Sequence, residues 1–234
     1  MPTLDASWSP QIRKIGDLER QDHWYLTPDH DCYFFGEYTA RAGYSHSSTN
    51  QIIGNLKKKP SVRHTPQWQY KLSDMRRVAA AVRSAINPQS YASTTFVPIP
   101  PSKMRAQIAA DDGDHAHPEY DSRIADIARM ISPDANVREL IDTVAERQSL
   151  HGSEQRLTPA QLTATLGINE ALCDPAPTSI VLLDDVITTG CSFVACRALL
   201  QQRFPGVSVL GIFAARRAVD HSDDVAEFGD LDDL

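Results

Sequence analysis

The chain has 234 residues, of which 41% are hydrophobic and 23% charged, and its formal net charge is −7. This composition excludes a disordered chain and fits one large domain, or one domain with a small addition. The acidic balance argues against broad binding to nucleic acid or to an anionic membrane, although a local basic patch is compatible with it.

Neither a membrane span nor a secretory signal is predicted. No apolar run approaches the roughly 20 residues of a span, and the first residues lack the charged-then-apolar pattern of a signal. The four cysteines, Cys32, Cys173, Cys191 and Cys196, contain no CxxC pair. Reduced thiols are the simplest interpretation, so we expect a cytoplasmic protein without a membrane or nucleic-acid partner.

Residues 1–71 are predicted to form a small N-terminal subdomain. Residues 1–20 have the character of a polar lead-in. Residues 23–38 contain two aromatic-rich halves around a turn-rich cluster, which is typical of a β-hairpin. A hydroxyl at Ser48 or Thr49 is suited to begin a short amphipathic helix, which three lysines and a proline then end.

The following region predicts a core that covers residues 72–217. Apolar residues at helical spacing indicate three helices: Leu72–Ile86, Arg123–Ile131 and Pro159–Leu172. The run TTFVPIP, at residues 94–100, predicts a strand, whereas residues 137–144 fit a strand or a helix. Residues 102–120 and 146–156 are predicted loops, and residues 218–234 an acidic tail.

The clearest unit begins at SIVLLDD, residues 179–185, a continuous apolar run typical of a strand buried on both faces. A tight turn, a helix over Phe193–Phe204 and a second apolar strand over residues 207–215 follow it. Strand, turn, helix and strand make a βαβ unit. The predicted fold class is therefore α/β, with a parallel sheet flanked by helices.

The turn of this unit has the chemistry of a sugar-phosphate site. Asp184 and Asp185 end the strand, at the edge where open α/β sheets bind ligands. The first N–H groups of the next helix are unpaired and lie at its positive end, and Gly190 allows close backbone approach. Three hydroxyls add donors: Thr188, Thr189 and Ser192. A phosphate near a vicinal diol, as in ribose 5-phosphate, would satisfy both halves.

The alternative is an ordinary βα turn whose two carboxylates face water. Adjacent side chains alternate across a strand, so either Asp184 or Asp185 must face a side covered by helices. A buried carboxylate needs a partner, which makes this alternative the weaker one.

The segment Val181–Ser192, VLLDDVITTGCS, resembles the signature for 5-phosphoribosyl pyrophosphate (PRPP) of type I phosphoribosyltransferases. The resemblance implies that Asp184 and Asp185 hold the ribose hydroxyls, and the same pair is the predicted catalytic and Mg²⁺ site. It implies that the following loop holds the 5′-phosphate, with Cys191 acting through its backbone N–H. The implied PRPP-binding residues are Asp184, Asp185, Val186, Thr188, Thr189, Gly190, Cys191 and Ser192.

A weaker resemblance extends over residues 96–217. FVPIPPSK, residues 96–103, resembles the first core strand and pyrophosphate loop of competence-associated amidophosphoribosyltransferase-like proteins. The resemblance implies that Lys103 and Arg105 face the pyrophosphate and take part in catalysis. The segment FVPIPPSK differs from the corresponding loop of the better-known enzymes, which usually contains glycine. Residues 146–162 would be a flexible loop that precedes the PRPP strand and supplies Arg147 or Arg156.

The predicted function is that of a phosphoribosyltransferase, a glycosyltransferase that binds PRPP with Mg²⁺. It would transfer the phosphoribosyl group to a nitrogenous acceptor and release pyrophosphate. Residues 1–71 would form a hood that chooses the acceptor through four candidates: Tyr33, Glu37, Tyr38 and Tyr44. The alternatives are a PRPP- or nucleotide-sensing regulator without catalysis, and an accessory protein of DNA uptake or modification. The acceptor and the oligomeric state, including a homodimer, are left open.

Several other residues are interpreted as structural. His23, His30 and Cys32 match no closed zinc site and are read as hairpin residues. The aromatic residues between Trp24 and Tyr38 are read as core, with base stacking as the alternative. The cluster Lys57–Lys59 is read as helix-end charge, with nucleic-acid contact as the alternative. Cys191 lacks a nearby base in the turn and is read as a loop residue rather than a nucleophile.

Overall fold

A computed structural model describes residues 7–105, 119–145 and 157–219. The strands in these residues are β1 (Trp8–Lys14), β2 (Cys32–Thr39), β3 (Thr94–Pro98), β4 (Asn136–Val137), β5 (Ile141–Thr143), β6 (Leu166–Ile168), β7 (Ser179–Ile187) and β8 (Ser208–Ala218). Six of them form one sheet in the order β1-β2-β8-β7-β3-β4, and β5 and β6 form a separate antiparallel pair. All neighbours in the six-stranded sheet are parallel except β1 and β2. The fold is therefore α/β, as predicted.

The helices are α1 (Asp17–Arg20), α2 (Ser48–Leu56), α3 (Trp68–Ala85), α4 (Arg123–Ile131), α5 (Pro159–Thr163) and α6 (Cys191–Arg203). Short 3-10 turns occupy Pro60–Val62, Pro88–Ser90 and Glu170–Leu172. Among the described helices, none combines the length and the apolar character that crossing a bilayer requires.

The sheet is covered by helices on both faces. Alternate residues of β7 belong to opposite clusters of buried side chains: Ile180 and Leu182 pack with α5 and α6, whereas Val181 and Leu183 pack with α2, α3 and α4. This alternation explains why β7 is a continuous apolar run, since both of its faces are buried. It also brings α4 and α6 to the same strand, one on each side of the carboxyl end.

Most of the predicted helices and strands of the core are confirmed. Helices α3 and α4 and strands β3, β7 and β8 lie where the apolar spacing predicted them. Helix α2 is also confirmed, but its N-cap is Ser47, whose hydroxyl accepts a hydrogen bond from the Asn50 amide at 3.1 Å. The ambiguous stretch 137–144 contributes to both β4 and β5.

The predicted β-hairpin over residues 23–38 is wrong. Only its second half is a strand, and that strand, β2, pairs with β1 and in parallel with β8. Strand β1 lies in the stretch interpreted as a polar lead-in, where Trp8 and Ile12 pack against the α2–α3 cluster. The hairpin interpretation failed because β2 pairs with β1, which precedes residue 23, and with β8, which lies 170 or more residues away, and local pattern encodes neither choice.

The described part of residues 1–71 thus shares one sheet with the predicted core. Its role as a hood over a ligand stays a prediction.

The helix predicted over Pro159–Leu172 is too long. Helix α5 ends at Thr163, and β6 follows within a few residues. Leu162 and Leu166 are spaced four residues apart, which suits a helix, but both are buried here with Leu166 in a strand paired to β5. The predicted helix start is confirmed, because the Thr158 hydroxyl and the Gln161 side chain form a capping box.

Candidate functional site

The turn between β7 and α6 lies at the carboxyl edge of the sheet and consists of Thr188, Thr189 and Gly190. Gly190 has a φ of +84°, which side chains rarely adopt, and it directly precedes α6. The Thr189 hydroxyl accepts a hydrogen bond from the Cys191 amide at 3.3 Å. Thr188 is exposed and Ser192 partly exposed, so both hydroxyls are accessible at the positive end of the helix.

The segment 22–26 packs against the back of this turn. The Nδ1 atom of His23 is hydrogen-bonded to the carbonyl oxygen of Thr188. The amide of Tyr25 donates to the carbonyl oxygen of Thr189 at 3.0 Å. Two successive carbonyls of the turn are therefore held by one segment that the sequence analysis interpreted as half of a hairpin.

The two carboxylates that end β7 have different surroundings. Arg123 donates to Oδ2 of Asp185 from Nε at 3.1 Å and from Nη2 at 2.7 Å, and the Val186 amide donates to Oδ1 at 2.7 Å. Both oxygens of Asp185 are thus engaged. Asp184 accepts a hydrogen bond on Oδ1 from the Asp185 amide at 2.8 Å and lines a cleft together with Pro101 and Arg123. The expectation that one carboxylate needs a protein partner is confirmed for Asp185.

The same difference appears in the proton affinities of the pair. Burial, and then the charge of Asp185, raise the pKa of Asp184 to about 7, while Arg123 acts in the opposite direction. Burial alone would also raise the pKa of Asp185, but Arg123 holds that pKa below its usual value. At neutral pH, Asp185 is the ionised member, and Asp184 is poised between its two forms.

The raised pKa of Asp184 predicts a contribution of this residue to the pH dependence of stability. Because the folded-state pKa of Asp184 lies above its unfolded value of 3.8, proton binding stabilises the fold at low pH, and this stabilisation is lost as pH rises from about 4 to about 7. Asparagine mimics the protonated acid. The stability of Asp184→Asn relative to the wild type should therefore rise over that window, by at most about 1.4 kcal/mol per pH unit, and level off above it. Urea unfolding of both proteins between pH 4 and 8 measures this difference, and a flat difference contradicts the assignment.

Arg123 belongs to a chain of charged groups that the sequence analysis missed. Its Nη1 donates to Oδ2 of Asp121 at 2.9 Å. Asp121 in turn accepts from Lys71, whose side chain is 1% exposed and also donates to the Lys58 carbonyl at 2.7 Å. The charges alternate from Lys71 through Asp121 and Arg123 to Asp185, so each buried charge has a counterion. Lys71 lies just before the predicted helix Leu72–Ile86, and the observed helix α3 includes it on the buried side.

Lysines from two separate segments line an open cleft beside the carboxylate pair. Lys103 lies there together with Lys57 and Lys59, which follow α2. The positive charge of Lys57 lowers the pKa of both Asp184 and Asp185. Two of the three lysines interpreted as helix-end charge, Lys57 and Lys59, thus line a cleft at the candidate site. Its position at a helix end is also confirmed, because α2 ends at Leu56.

Arg105 has acidic neighbours. It forms ion pairs with Glu139 and, at 3.5 Å, with Asp142, and its guanidinium lies 5.3 Å from the ring centroid of Tyr120. These contacts engage the Arg105 side chain. The role of Arg105 toward pyrophosphate stays a prediction. Three polar residues of the predicted loop lie outside the described residues: Arg147, His151 and Arg156.

One of the four candidates for acceptor choice lies next to the basic cleft. Tyr38 is near the carboxyl end of β2, and the Lys57 ammonium is 5.5 Å from its ring centroid. Tyr38 is therefore the candidate whose position fits contact with a ligand at this edge.

The other three candidates have different surroundings. Glu37 accepts a hydrogen bond from Arg216 at 3.1 Å. Tyr33 is the second residue of β2 and lines an apolar cleft on the sheet face. The Tyr44 hydroxyl accepts from the Asn55 amide nitrogen at 3.2 Å. None of these contacts places a side chain in the cleft that Asp184 lines.

Most of the residues interpreted as structural have structural surroundings, but Trp24, which was interpreted as core, is 61% exposed. Within the described ranges, no group of three or more His, Cys, Asp or Glu side chains is arranged to hold a metal ion. His23 and Cys32 are fully buried, and His30 lies against the Phe193 ring. The Cys191 thiol donates to the Leu157 carbonyl at 3.2 Å.

The donor set fits Mg²⁺ only as an ion that arrives with a phosphate ligand. Both oxygens of Asp185 already accept hydrogen bonds, and Asp184 has one oxygen engaged by the Asp185 amide. Mg²⁺ is commonly held by one or two carboxylates together with substrate phosphates rather than by a cage of protein ligands. Asp184 is the carboxylate of this pair that is suited to such a role.

The fold defines the chain as an α/β protein, and the candidate site lies at the carboxyl ends of β3 and β7. Comparison with known proteins adds no assignment, because no family model and no curated protein matches the chain.

Proposed function

We propose that this protein is a type I phosphoribosyltransferase that binds PRPP with Mg²⁺ and transfers the phosphoribosyl group to a nitrogenous acceptor. One observation carries the proposal: a glycine turn at a helix N-terminus follows a strand that carries two carboxylates near its carboxyl end, beside a cleft lined by lysines. Each of these three parts has a counterpart in PRPP.

The 5′-phosphate is assigned to the turn. Backbone N–H groups at the start of α6 and the hydroxyls of Thr188 and Ser192 are donors, and the helix dipole favours an anion there. No lysine or arginine is needed within the turn itself, because the amides and hydroxyls supply the hydrogen bonds.

The ribose hydroxyls are assigned to Asp184. Its carboxyl lines the cleft and has an oxygen that is not used by the Asp185 amide, whereas both oxygens of Asp185 are engaged. Asp185 then acts as the fixed member of the pair. Its backbone amide orients Asp184, and its ion pair with Arg123 keeps the end of β7 in place.

The pyrophosphate is assigned to the cleft of Lys57, Lys59 and Lys103. Lys59 pairs with Glu119 at 3.4 Å in this cleft, and a bound polyanion would add a counterion for Lys57 and Lys103. When bound, Mg²⁺ supplies charge neutralisation to the departing pyrophosphate. The lysines orient the leaving group, so that it departs with the electrons of the bond to the anomeric carbon while the acceptor nitrogen adds there and loses a proton.

Isothermal titration with PRPP and Mg²⁺ tests the proposal. We expect wild-type protein to bind PRPP, and Asp184→Asn to bind it at least about tenfold more weakly, because asparagine cannot accept from both ribose hydroxyls as a carboxylate does. The matched control is Asp134→Asn, an exposed acid in the connection between α4 and β4, which should bind like the wild type. Absence of heat with folded wild-type protein contradicts the proposal, and equal affinity of Asp184→Asn contradicts the ribose assignment.

A PRPP-sensing regulator without turnover is the second candidate. It is favoured by the ion pairs of Arg105 with Glu139 and Asp142, which neutralise one of the two cations expected to face the pyrophosphate. Release of pyrophosphate on incubation with PRPP, Mg²⁺ and a panel of nitrogenous bases discriminates the two. Binding without release supports the regulator.

A further inference from the structure

We infer that His23 is a positioning residue that aims the backbone amides of the turn at the phosphate of the ligand. The inference rests on the proposed function, since it concerns how the same turn is held. It assigns a role to the segment 22–26, which the sequence analysis treated as half of a hairpin.

The orientation of the amides follows from the two carbonyls held at the back of the turn. The carbonyl of Thr188 accepts from His23 Nδ1, and that of Thr189 from the Tyr25 amide at 3.0 Å. In the described residues, the only cis peptide bond precedes Pro175, so both of these peptide groups are trans. In a planar trans peptide, the N–H points opposite to the C=O.

The N–H of Thr189 therefore points away from His23, and the N–H of Gly190 points away from Tyr25. Two successive amides directed to the open side of a turn form a concave site for an anion. Holding the carbonyls fixes these amides before the ligand arrives, so that binding does not have to order them.

The contact of His23 is a hydrogen bond whose direction is determined. A carbonyl oxygen only accepts, so Nδ1 carries the hydrogen. Burial lowers the pKa of His23, which keeps the ring neutral with Nε2 unprotonated. Nε2 is buried and has no hydrogen-bond partner within the described ranges. Among the described residues, the Thr188 carbonyl is thus the hydrogen-bond partner of this ring.

The segment that carries His23 is anchored to the sheet independently of the turn. Oδ2 of Asp22 accepts from Arg216 at 2.8 Å and from the Val219 amide at 3.2 Å. Arg216 lies in β8 directly opposite Ile187, the last residue of β7. The segment is therefore fixed to β8, the strand next to β7. The hydrogen bond from His23 fixes the Thr188 carbonyl relative to that strand.

Three substitutions in the full-length chain separate hydrogen bonding from packing. His23→Asn can place its amide nitrogen where Nδ1 lies, whereas His23→Leu keeps much of the volume without a donor. His23→Gln keeps a donor but places it farther along the side chain. It replaces His23→Leu in the comparison if the leucine variant does not fold. Each variant is first checked for cooperative thermal unfolding.

The readouts are affinity for ribose 5-phosphate and for PRPP with Mg²⁺, and the NMR signals of the Thr189 and Gly190 amides without ligand. We expect His23→Asn to bind within about threefold of the wild type, and His23→Leu and His23→Gln to bind both ligands about tenfold more weakly. The two amide signals should move in His23→Leu and His23→Gln and stay near their wild-type positions in His23→Asn.

The outcomes distinguish this inference from the function on which it rests. If the wild type binds both ligands and the leucine and glutamine variants bind equally well, His23 does not position the turn, and the proposed function stands. Equal weakening in all three variants, including asparagine, would show a packing role and overturn the inference. If the wild type binds neither ligand, the proposed function fails and this inference fails with it, whatever the amide signals show.

Discussion

Arg123→Met is expected to lower the free energy of unfolding by about 3 kcal/mol and to weaken PRPP binding strongly. The substitution leaves Asp185 and Asp121 buried without the guanidinium that pairs with both of them. The carboxylate at the end of β7 is then free to move or to take up a proton, and the orientation of Asp184 changes with it. Urea unfolding at pH 7 and isothermal titration with PRPP and Mg²⁺ measure the two effects.

Arg203→Met is the matched control, because Arg203 also forms a two-pronged ion pair, with Glu170, but at the exposed end of α6. We expect no measurable change in stability or in binding, since an exposed pair contributes little. The double variant Arg123→Met with Asp185→Leu should regain most of the lost stability and none of the binding, because it removes the unpaired charge together with its partner. Equal loss in Arg123→Met and Arg203→Met would contradict a special role for the buried chain.

Gly190→Ala should abolish PRPP binding and should destabilise the protein more than an ordinary glycine substitution does. A positive φ costs a side chain about 1–2 kcal/mol. In addition, a Cβ at this position would lie 2.8 Å from Cδ2 of Leu26, on the segment that holds the turn from behind. Relief of this contact requires the turn or the segment to move, and either movement displaces the amides that face the phosphate.

Gly206→Ala separates the two contributions. Gly206 has nearly the same conformation, with a φ of +82°, but nothing lies within 4 Å of the position of its Cβ. Gly206→Ala should lose only the stability that a positive φ costs a residue with a side chain. It should bind PRPP like the wild type. Thermal unfolding and PRPP titration of both variants provide the comparison. If Gly206→Ala loses as much stability as Gly190→Ala, the contact with Leu26 contributes nothing.

The sequence was most informative where local pattern and burial agree. The apolar run of β7 implied a strand covered on both faces, and the alternation of its side chains implied a partner for one of two adjacent acids. Helix α4 was predicted at its observed bounds, because its apolar residues follow one face and a proline comes soon after its end. These features depend on residues close in sequence, so a short window contains the information.

Local pattern was least informative where pairing is distant. The aromatic residues of β2 need burial, which is compatible with a hairpin, but β2 pairs with β1 and β8, and the clusters on the two sheet faces bury Phe34 and Phe35. The pattern of Leu162 and Leu166 likewise fits a helix or a strand paired to β5. In both cases the choice is made by a partner element far along the chain, and only packing decides between the alternatives.

The sequence alone determined the strand, the two acids, the glycine turn and the helix that make up the candidate phosphate site, because these follow one another within a dozen residues. Only the tertiary structure decided which acid is held by Arg123 and which lines the cleft, that Lys57 joins Lys103 there, and that His23 holds the turn. These contacts join elements that are separated by dozens of residues, and the relative position of such elements results from how the whole core packs around the sheet.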